Sequence, residues 1–257
     1  WHDDAFKLAK KVKIPIFSTP FSVKALKFLD KFKPSLYKVA SFEITDLNLI
    51  REIAKKGKPI ILSTGMAKLN EILNAVKEIE KVHKKIIILH CVSGYPTPED
   101  EANINSINLL KAKFPNKFLG ISDHTSDINS SLAAVALGAK VIEKHFKLSD
   151  KIKSPDSKFS INPVQLKELK IRSESIFLSI GKPTTKISTS EKNSFIFRRS
   201  IFASRNLKKN TKITDLDIIT KRPLIGISAD QYFNILGKKT KINISKHNPI
   251  FKKYIKS

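Results

Sequence analysis

Two histidines stand where neighbouring segments of the chain end. In FLGISDHTSD (118–127) an apolar run ends in a serine, an aspartate and His124, and in KVIEKHF (140–146) the next run ends in a glutamate and His145. Histidines at the ends of adjacent strands can hold a divalent metal with open positions for water or substrate. They can equally be hydrogen-bonded structural residues. Both interpretations of this pair stay open from these residues alone.

A lysine and a carboxylate flank a third segment end, in KVASFE, where Lys38 precedes Ser41 and Glu43 follows it. A lysine in that place suits a phosphate or carboxylate ligand, whereas a Lys–Glu pair that neutralises itself at a rim would contribute little. Small hydroxyl donors also occur at the segment ends: Thr19, Ser41, Ser93 and Ser122. We therefore predict an anionic substrate and keep the rim pair as the alternative.

Two familiar kinds of binding loop are missing from the sequence. It contains neither G-x-x-x-x-G-K-[ST] nor G-x-G-x-x-G, so the usual nucleotide and dinucleotide sites are not expected. Cys91 has no glycine-framed turn around it and is interpreted as a small buried residue. His90 beside it could be a third metal ligand or part of the core, and the core is the interpretation we favour. The residue chemistry predicts a lyase, aldolase or transferase that uses a metal.

Six short apolar runs alternate with helical patterns and predict parallel strands that are buried on both faces. The runs are IPIFS (14–18), LYKVAS (36–41), PIILST (59–64), KIIILHC (85–91), FLGIS (118–122) and KVIEKHF (140–146). Parallel barrels place the carboxyl ends of their strands on one face and hold their active sites there. Because the chain opens on a helical pattern and shows only these strands, we predict an α/β fold, a (β/α)8 TIM barrel lacking its first two strands.

The repeat stops after a last helical pattern, PVQLKELKIRSESIFLSIG. The polar stretch that follows predicts a linker, and short β-type runs separated by turns then predict a small β-rich domain. We accordingly predict a partial barrel domain over 1–182, a linker over 183–194 and a second domain over 195–257.

The composition indicates an ordinary globular protein. The chain has 257 residues, of which 41% are hydrophobic and 28% charged. Its apolar runs are too short to span a bilayer, and a single cysteine without a secretory signal pattern predicts a cytoplasmic protein. The net charge is +25, yet the lysines are spread singly and in pairs without interleaved aromatics. We predict neither a nucleic-acid nor a membrane partner.

Five motifs occur in an order that resembles the sialic acid synthase family: KVASFEITDLNLI, PIILSTGMAKLNEI, LHCVSGYPTP, GISDHTSD and VIEKHF. Within that family the sequence is most similar to pseudaminic acid synthases. SFEITD stands where N-acetylneuraminate enzymes have an SGE form, and FRRSIFAS opens the second domain. The resemblance extends from Trp1 to about Ile250.

The resemblance implies an enzyme that condenses phosphoenolpyruvate with an acylated amino sugar. For pseudaminic acid synthase the sugar is 2,4-diacetamido-2,4,6-trideoxy-altrose, and the products are pseudaminic acid and phosphate. Sialic or legionaminic acid synthase is the alternative. The family also implies a small antifreeze-like (SAF) domain after the barrel, and a domain-swapped homodimer in which this domain reaches the partner's barrel.

Residue roles follow from the same motifs. The positions that match phosphoenolpyruvate-binding residues are Lys38, Ser41, Thr19, Ser93 and Ser122. The positions that face the sugar are Glu43, Tyr95, Asp156 and, across the dimer, Arg222. His124 and His145 match the metal pair, which usually holds Mn²⁺ or Mg²⁺. Lys38 and Glu43 are the residues to which we assign catalytic roles.

The sequence departs from the family pattern in three places. Ser93 stands where sialic acid synthases have Asn, and Ser154-Pro155-Asp156 replaces Gly-Pro-Asp while keeping the carboxylate. The motifs E-I-G-x-N-H-x-G and K-F-Q, which carry a catalytic carboxylate and a second phosphate-binding lysine in the family, do not occur in these residues. We therefore expect an N-terminally truncated chain and keep a catalytically incomplete basic binding protein as an alternative function.

Overall fold

The computed structural model describes residues 1–256, which divide into two compact units, Trp1–Lys182 and the part of the chain from Pro183 onward. The strands and helices of the first unit are, in chain order, α1 (His2–Val12), α2 (Val23–Asp30), β1 (Tyr37–Val39), α3 (Leu47–Ala54), β2 (Ile60–Ser63), α4 (Leu69–Glu80), β3 (Ile86–Cys91), α5 (Ser106–Lys113), β4 (Phe118–Asp123), α6 (Asn129–Ala136), β5 (Val141–Lys144) and α7 (Pro163–Ile180). No helix within these residues is long and apolar enough to cross a membrane.

The five strands of the first unit form one parallel sheet in the order β1-β2-β3-β4-β5. Each strand lies beside the next one along the chain, and a helix crosses between them, which is the βα repeat of a barrel. The aliphatic side chains of β2 are buried on both faces because helices cover one side and the interior covers the other. This arrangement brings every strand's carboxyl end to the same edge.

The helices form for local reasons that the sequence shows. In α3, Leu49, Ile50 and Ile53 lie on one face and are buried, and the Asp46 side chain caps the helix by accepting a hydrogen bond from the Leu49 amide at 2.9 Å. In α7, Asn162 caps the first turn through the Gln165 amide at 2.9 Å. The starts of these two helices are therefore set by side chains close in sequence.

The predicted strand at Ile14–Ser18 is wrong. This segment forms no ladder with β1 or with any other part of residues 1–256, so the sheet has five strands where we predicted six. Pro15 lies inside the run and has no amide hydrogen to donate to a ladder. An apolar run becomes a strand only when a neighbouring strand satisfies its backbone, and periodicity does not report that neighbour.

The second unit contains β6 (Ser200–Ala203), β7 (Ile218–Lys221) and α8 (Tyr232–Ile235). The two strands pair antiparallel, and isoleucines dominate the core that they cover. The segment TKINIS (240–245), one of the short β-type runs of this domain, forms only isolated bridges, Thr240 with Ile255 and Leu207 with Ile244. Loops and turns, some joined by such bridges, make up most of this unit.

Candidate active site

The two predicted metal-binding histidines lie side by side at the carboxyl edge of the sheet. His124 directly follows β4 and His145 directly follows β5, and β4 and β5 pair in register up to these residues. Their ring centroids are 5.3 Å apart. The structure therefore brings together two side chains that are separated by a helix in sequence.

Each ring is oriented through its Nδ1 atom. Nδ1 of His124 lies 2.8 Å from the Val92 carbonyl oxygen, to which it can donate, and Nδ1 of His145 lies 3.4 Å from Oδ2 of Asp156. Within residues 1–256 no hydrogen bond engages Nε2 of either ring. Metal-binding histidines typically donate one ring nitrogen to a carbonyl or carboxylate and ligate through the other. The pair fits a divalent metal in this respect.

The two histidines differ in their ease of protonation. Burial lowers the pKa of His124, but its contacts with Cys91 and the Val92 carbonyl outweigh burial, so that pKa is raised. Burial and the neighbouring His124 lower the pKa of His145, which favours the neutral imidazole that metals bind. No group of three or more His, Cys, Asp or Glu side chains within residues 1–256 is placed to hold a metal ion. His124 and His145 are a pair of imidazoles, and their role as metal ligands stays a prediction.

Aromatic rings form the wall around this pair. The Tyr95 ring lies 4.2 Å from the His124 ring, and the Phe159 ring lies 4.8 Å from the His145 ring and 5.4 Å from Tyr95. Tyr95 was a predicted substrate residue, and Asp156 reaches the site through His145. Phe159 is buried and was missed, because a single phenylalanine in a loop carries no motif.

Cys91 lies beside two of the predicted hydroxyl donors, Ser41 and Ser93. Its sulfur is 3.4 Å from Oγ of Ser41, 4.0 Å from Oγ of Ser93 and 3.8 Å from Nδ1 of His124. Burial raises the pKa of the thiol, but hydrogen bonds from His124 and Ser41 lower it by more. The interpretation of Cys91 as a small buried residue agrees with its burial, and the structure adds that it joins three strand ends.

Gly65 makes the close packing of these hydroxyls possible. Its amide donates to Oγ of Ser41 at 3.0 Å, and a Cβ placed on it would lie 2.2 Å from Oγ of Ser93 and 2.7 Å from Oγ of Ser41. Only glycine leaves room for both oxygens. Gly65 belongs to the STG sequence at the end of β2, but that sequence does not reveal which side chains approach the glycine.

Lys38, Ser122 and Glu143 form a second polar group across the interior. Nζ of Lys38 is 3.3 Å from Oε1 of Glu143, and Oγ of Ser122 donates to the same oxygen at 2.7 Å. The lysine is buried, whereas 38% of the Glu143 side chain is exposed. Glu143 has no role predicted from the sequence, and in the structure its carboxylate links Lys38 on β1 to Ser122 on β4.

Three predicted site residues take part in none of these contacts. Oε2 of Glu43 is buried without a hydrogen-bond partner within residues 1–256, and burial raises its pKa against the smaller effect of Lys38. Thr19 follows the unpaired Ile14–Ser18 segment and is half-buried. Arg222 lies in the second unit, directly after β7, with an exposed side chain. Their roles stay predictions.

Family models match both units of the chain. The NeuB family model covers residues 1–185, and the SAF domain model covers residues 198–255. The predicted resemblance to sialic acid synthases is thereby confirmed, as is the antifreeze-like domain.

Two individual proteins are also similar to the chain over most of its length. The chain is 42% identical over 241 residues to an N,N'-diacetyllegionaminic acid synthase of Campylobacter jejuni, a match that covers 92% of this chain and 72% of that protein. It is 38% identical over 253 residues to a pseudaminic acid synthase of Helicobacter pylori, covering 97% and 74%.

A crystal structure extends the comparison to the fold. The N-acetylneuraminic acid (sialic acid) synthetase of Leptospira borgpetersenii, solved in complex with citrate, superposes with a TM-score of 0.71 at 34% identity over 75% of this chain and 68% of that one. The predicted fold class, a partial TIM barrel followed by a SAF domain, is confirmed. The chain belongs to the NeuB family, the family of the sialic acid synthases.

Proposed function

We propose that the protein is a phosphoenolpyruvate-dependent nonulosonic acid synthase whose product is pseudaminic acid. The observation that carries the proposal is the His124–His145 pair, which stands beside a hydroxyl cluster and a buried lysine at one strand edge. Relatives of similar identity are named pseudaminic and legionaminic acid synthases. SFEITD, which contains Ser41 and Glu43, favours the pseudaminic acid enzyme between them.

The anionic substrate would bind to the polar groups around Cys91 and Lys38. Ser41 and Ser93 lie within 4.0 Å of the Cys91 sulfur, so their hydroxyls can donate together to one phosphate or carboxylate. Lys38 and Ser122 already share an anionic partner in Glu143, and a bound carboxylate or phosphate would take the place of that partner. Thr19 is proposed as a further hydroxyl donor.

The acceptor sugar would bind on the side of the aromatic wall. His124 and His145 would hold Mn²⁺ or Mg²⁺, and a metal there supplies Lewis-acid polarisation of the sugar aldehyde. Tyr95 lies against His124 and can pack on the sugar. Asp156 and the unpartnered oxygen of Glu43 can accept hydrogen bonds from its hydroxyl or amide groups.

The reaction that these groups would serve balances without a redox partner. C3 of phosphoenolpyruvate bonds to the aldehyde carbon of the open-chain sugar, whose oxygen takes up a proton. Water then adds at C2, and the tetrahedral intermediate loses phosphate by cleavage of the C2–O bond to leave the 2-keto acid. The contribution of Lys38 and the serines is to position the phosphate and carboxylate and to neutralise their charge.

We further propose that the active form is a domain-swapped homodimer in the cytoplasm, where phosphoenolpyruvate is found. Residues 183–194 would be the linker, and the SAF domain over 195–257 would place Arg222 against the sugar in the partner's barrel. A planar guanidinium can grip an acyl carbonyl or a carboxylate with two hydrogen bonds, which lysine cannot do.

The test is phosphate release from phosphoenolpyruvate in the presence of Mn²⁺ and 2,4-diacetamido-2,4,6-trideoxy-altrose. We expect phosphate release that EDTA stops. His124→Ala should abolish both phosphate release and metal binding. His2→Ala, a control far from the site, should keep the activity. Release only with N-acetylmannosamine, or only with the acceptor of legionaminic acid synthases, would transfer the assignment to those enzymes. No release with any acylated amino sugar would refute the synthase.

The high net charge of +25 favours a second candidate, a basic binding protein without catalysis. It predicts sequence-independent binding to a polyanion such as heparin or DNA, with an affinity that falls steeply with salt. Absence of binding at 150 mM salt would remove this candidate, whereas micromolar binding there together with no phosphate release would favour it over the synthase.

A further inference from the structure

A buried ion pair lies directly behind the two histidines. Asp123 and Lys144 are the last register partners of β4 and β5, and Nζ of Lys144 is 3.2 Å from Oδ2 of Asp123. Only 1% of the aspartate side chain and 3% of the lysine side chain are exposed. Because side chains alternate along a strand, this pair and the site residues Ser122 and Glu143 lie on opposite faces of the sheet.

The carboxylate of Asp123 is fully engaged. Oδ1 accepts hydrogen bonds from the amide of Thr125 at 2.8 Å and from its hydroxyl at 2.7 Å. Oδ2 accepts one from Oγ of Ser131, on α6, at 2.6 Å. The bend of the chain after β4 is therefore tied both to the strand and to the covering helix.

Lys144 binds the chain on both sides of His124. Besides Asp123, its ammonium donates to the carbonyl oxygen of Thr125 at 2.6 Å. The carbonyl of His124 itself accepts from the amide of Thr97 at 2.9 Å. Since Lys144 immediately precedes His145, one ammonium group connects the backbone that carries one histidine to the backbone that carries the other.

We propose that Asp123 and Lys144 are positioning residues that fix the spacing and orientation of His124 and His145, an inference that rests on the proposed function of that pair. Both histidines stand just beyond Asp123 and Lys144, the last register pair of β4 and β5. Their carbonyl oxygens accept hydrogen bonds from residues outside these two strands, that of His124 from the Thr97 amide at 2.9 Å and that of His145 from the Ile161 amide at 2.8 Å. The Asp123–Lys144 pair adds a side-chain link between the two strand ends on the back of the sheet, without occupying the site.

Energetics also favour a positioning role over a purely stabilising one. The attraction within a buried ion pair roughly offsets its desolvation cost, so packed apolar side chains would stabilise these strand ends equally well. Apolar side chains, however, make no directional hydrogen bonds. The three acceptor and donor groups of Asp123, Thr125 and Lys144 specify one geometry of the chain around His124.

The experiment compares Asp123→Asn and Lys144→Met with Glu78→Gln in the full chain. Glu78 is a matched control, because it is a buried carboxylate that pairs with Arg51 on α3 and with Lys81 directly after α4, away from the histidines. Mn²⁺ affinity is measured by electron paramagnetic resonance, thermal stability by calorimetry, and the imidazole signals of His124 and His145 by NMR, with His83 as the reference. Ser131→Ala removes one hydrogen bond to Asp123 and replaces the other two test variants if these fail to fold.

We expect Asp123→Asn and Lys144→Met to bind Mn²⁺ about 10- to 100-fold more weakly than the wild type does. Glu78→Gln should bind Mn²⁺ with an affinity within about 2-fold of the wild type, although its melting temperature falls by a similar amount. The signals of His124 and His145 should shift while that of His83 does not. Unmoved histidine signals in a folded Asp123→Asn variant, or an equal loss of affinity in Glu78→Gln, would overturn the proposal. If the wild-type chain binds no Mn²⁺, the proposed metal is wrong, and the NMR comparison still decides whether the pair positions the histidines.

Discussion

At the scale of single residues, the site depends on small side chains that let polar atoms meet. Ser41 follows β1, whereas Cys91 and Ser93 lie at the end of β3, and the two serine hydroxyls can approach one another because Gly65 adds no side chain beside them. Lys38 is buried with its charge balanced by Glu143. Each of these contacts can be removed by one substitution without touching the hydrophobic core.

Lys38→Met should raise the KM for phosphoenolpyruvate about 10- to 100-fold, because the variant loses a charge-assisted hydrogen bond to the anion while keeping a similar length and volume. Steady-state phosphate release at varied phosphoenolpyruvate concentration measures it. Lys55→Met is the control, since that lysine pairs with Glu52 on the surface of α3. An unchanged KM in Lys38→Met would assign this lysine to stability alone.

Gly65→Ala should lower kcat/KM about 10- to 100-fold, because the new methyl group would lie 2.2 Å from Oγ of Ser93 and must displace both serine hydroxyls. Gly94→Ala is the control in a neighbouring loop, where a Cβ has an ordinary contact of 3.4 Å to Thr97. Equal activity of Gly65→Ala and the wild type would show that the hydroxyls do not bind substrate.

At the scale of elements, helices α3 and α4 are joined by a carboxylate that two cations share. Glu78 of α4 is buried and lies 2.5 Å from Nε of Arg51 on α3 and 2.6 Å from Nζ of Lys81. The hydrogen bonds from Arg51, and then from Lys81, lower the pKa of Glu78 from its ordinary 4.5 to about 2. The association of these two helices is therefore linked to pH.

Glu78→Gln should lose stability at neutral pH, and its difference from the wild type should shrink as the pH falls. A carboxylate whose pKa is lowered on folding stabilises the protein above its unfolded pKa, near 4.5, and this stability is lost as the pH falls towards 2. Urea unfolding at pH 7, 4.5 and 3 measures the difference. Glu168→Gln, in an exposed pair with Arg172, is the control. A difference that stays constant with pH would contradict the linkage.

At the scale of the whole molecule, the proposed active site needs residues from two parts of the chain. His124 belongs to the barrel unit and Arg222 to the SAF unit. If the SAF domain serves the partner's barrel, a dimer holds two composite sites, each built from two subunits. The symmetry of such a dimer then predicts how defective subunits complement one another.

An equal mixture of His124→Ala and Arg222→Ala subunits should regain about a quarter of the wild-type activity after exchange. Half of the dimers are then mixed, and each mixed dimer has one site with both native residues. Phosphate release measures the recovery, and native mass spectrometry verifies the exchange. A mixture that stays inactive after proven exchange would show that Arg222 does not act on a partner's site.

The sequence alone determined the strand and helix repeat, the family and the strand-end position of the histidines and of Lys38. Strands buried on both faces and amphipathic helices each produce a pattern of residues that are close in sequence, so the sequence alone predicts them. The run Ile14–Ser18 shows the limit, because a strand also needs a partner that periodicity does not reveal.

Only the tertiary structure decided which polar groups meet. Cys91 contacts Ser41 across 50 residues of chain, and Asp123 turns away from the site to Lys144 although it stands between two site residues. The close approach of the serine hydroxyls to Gly65 and the contact of Phe159 with His145 likewise depend on side chains from neighbouring strands or loops. The physical reason is that hydrogen bonds, ion pairs and close packing are set by register and by distances of a few ångströms between segments distant in sequence, and no local pattern encodes those distances.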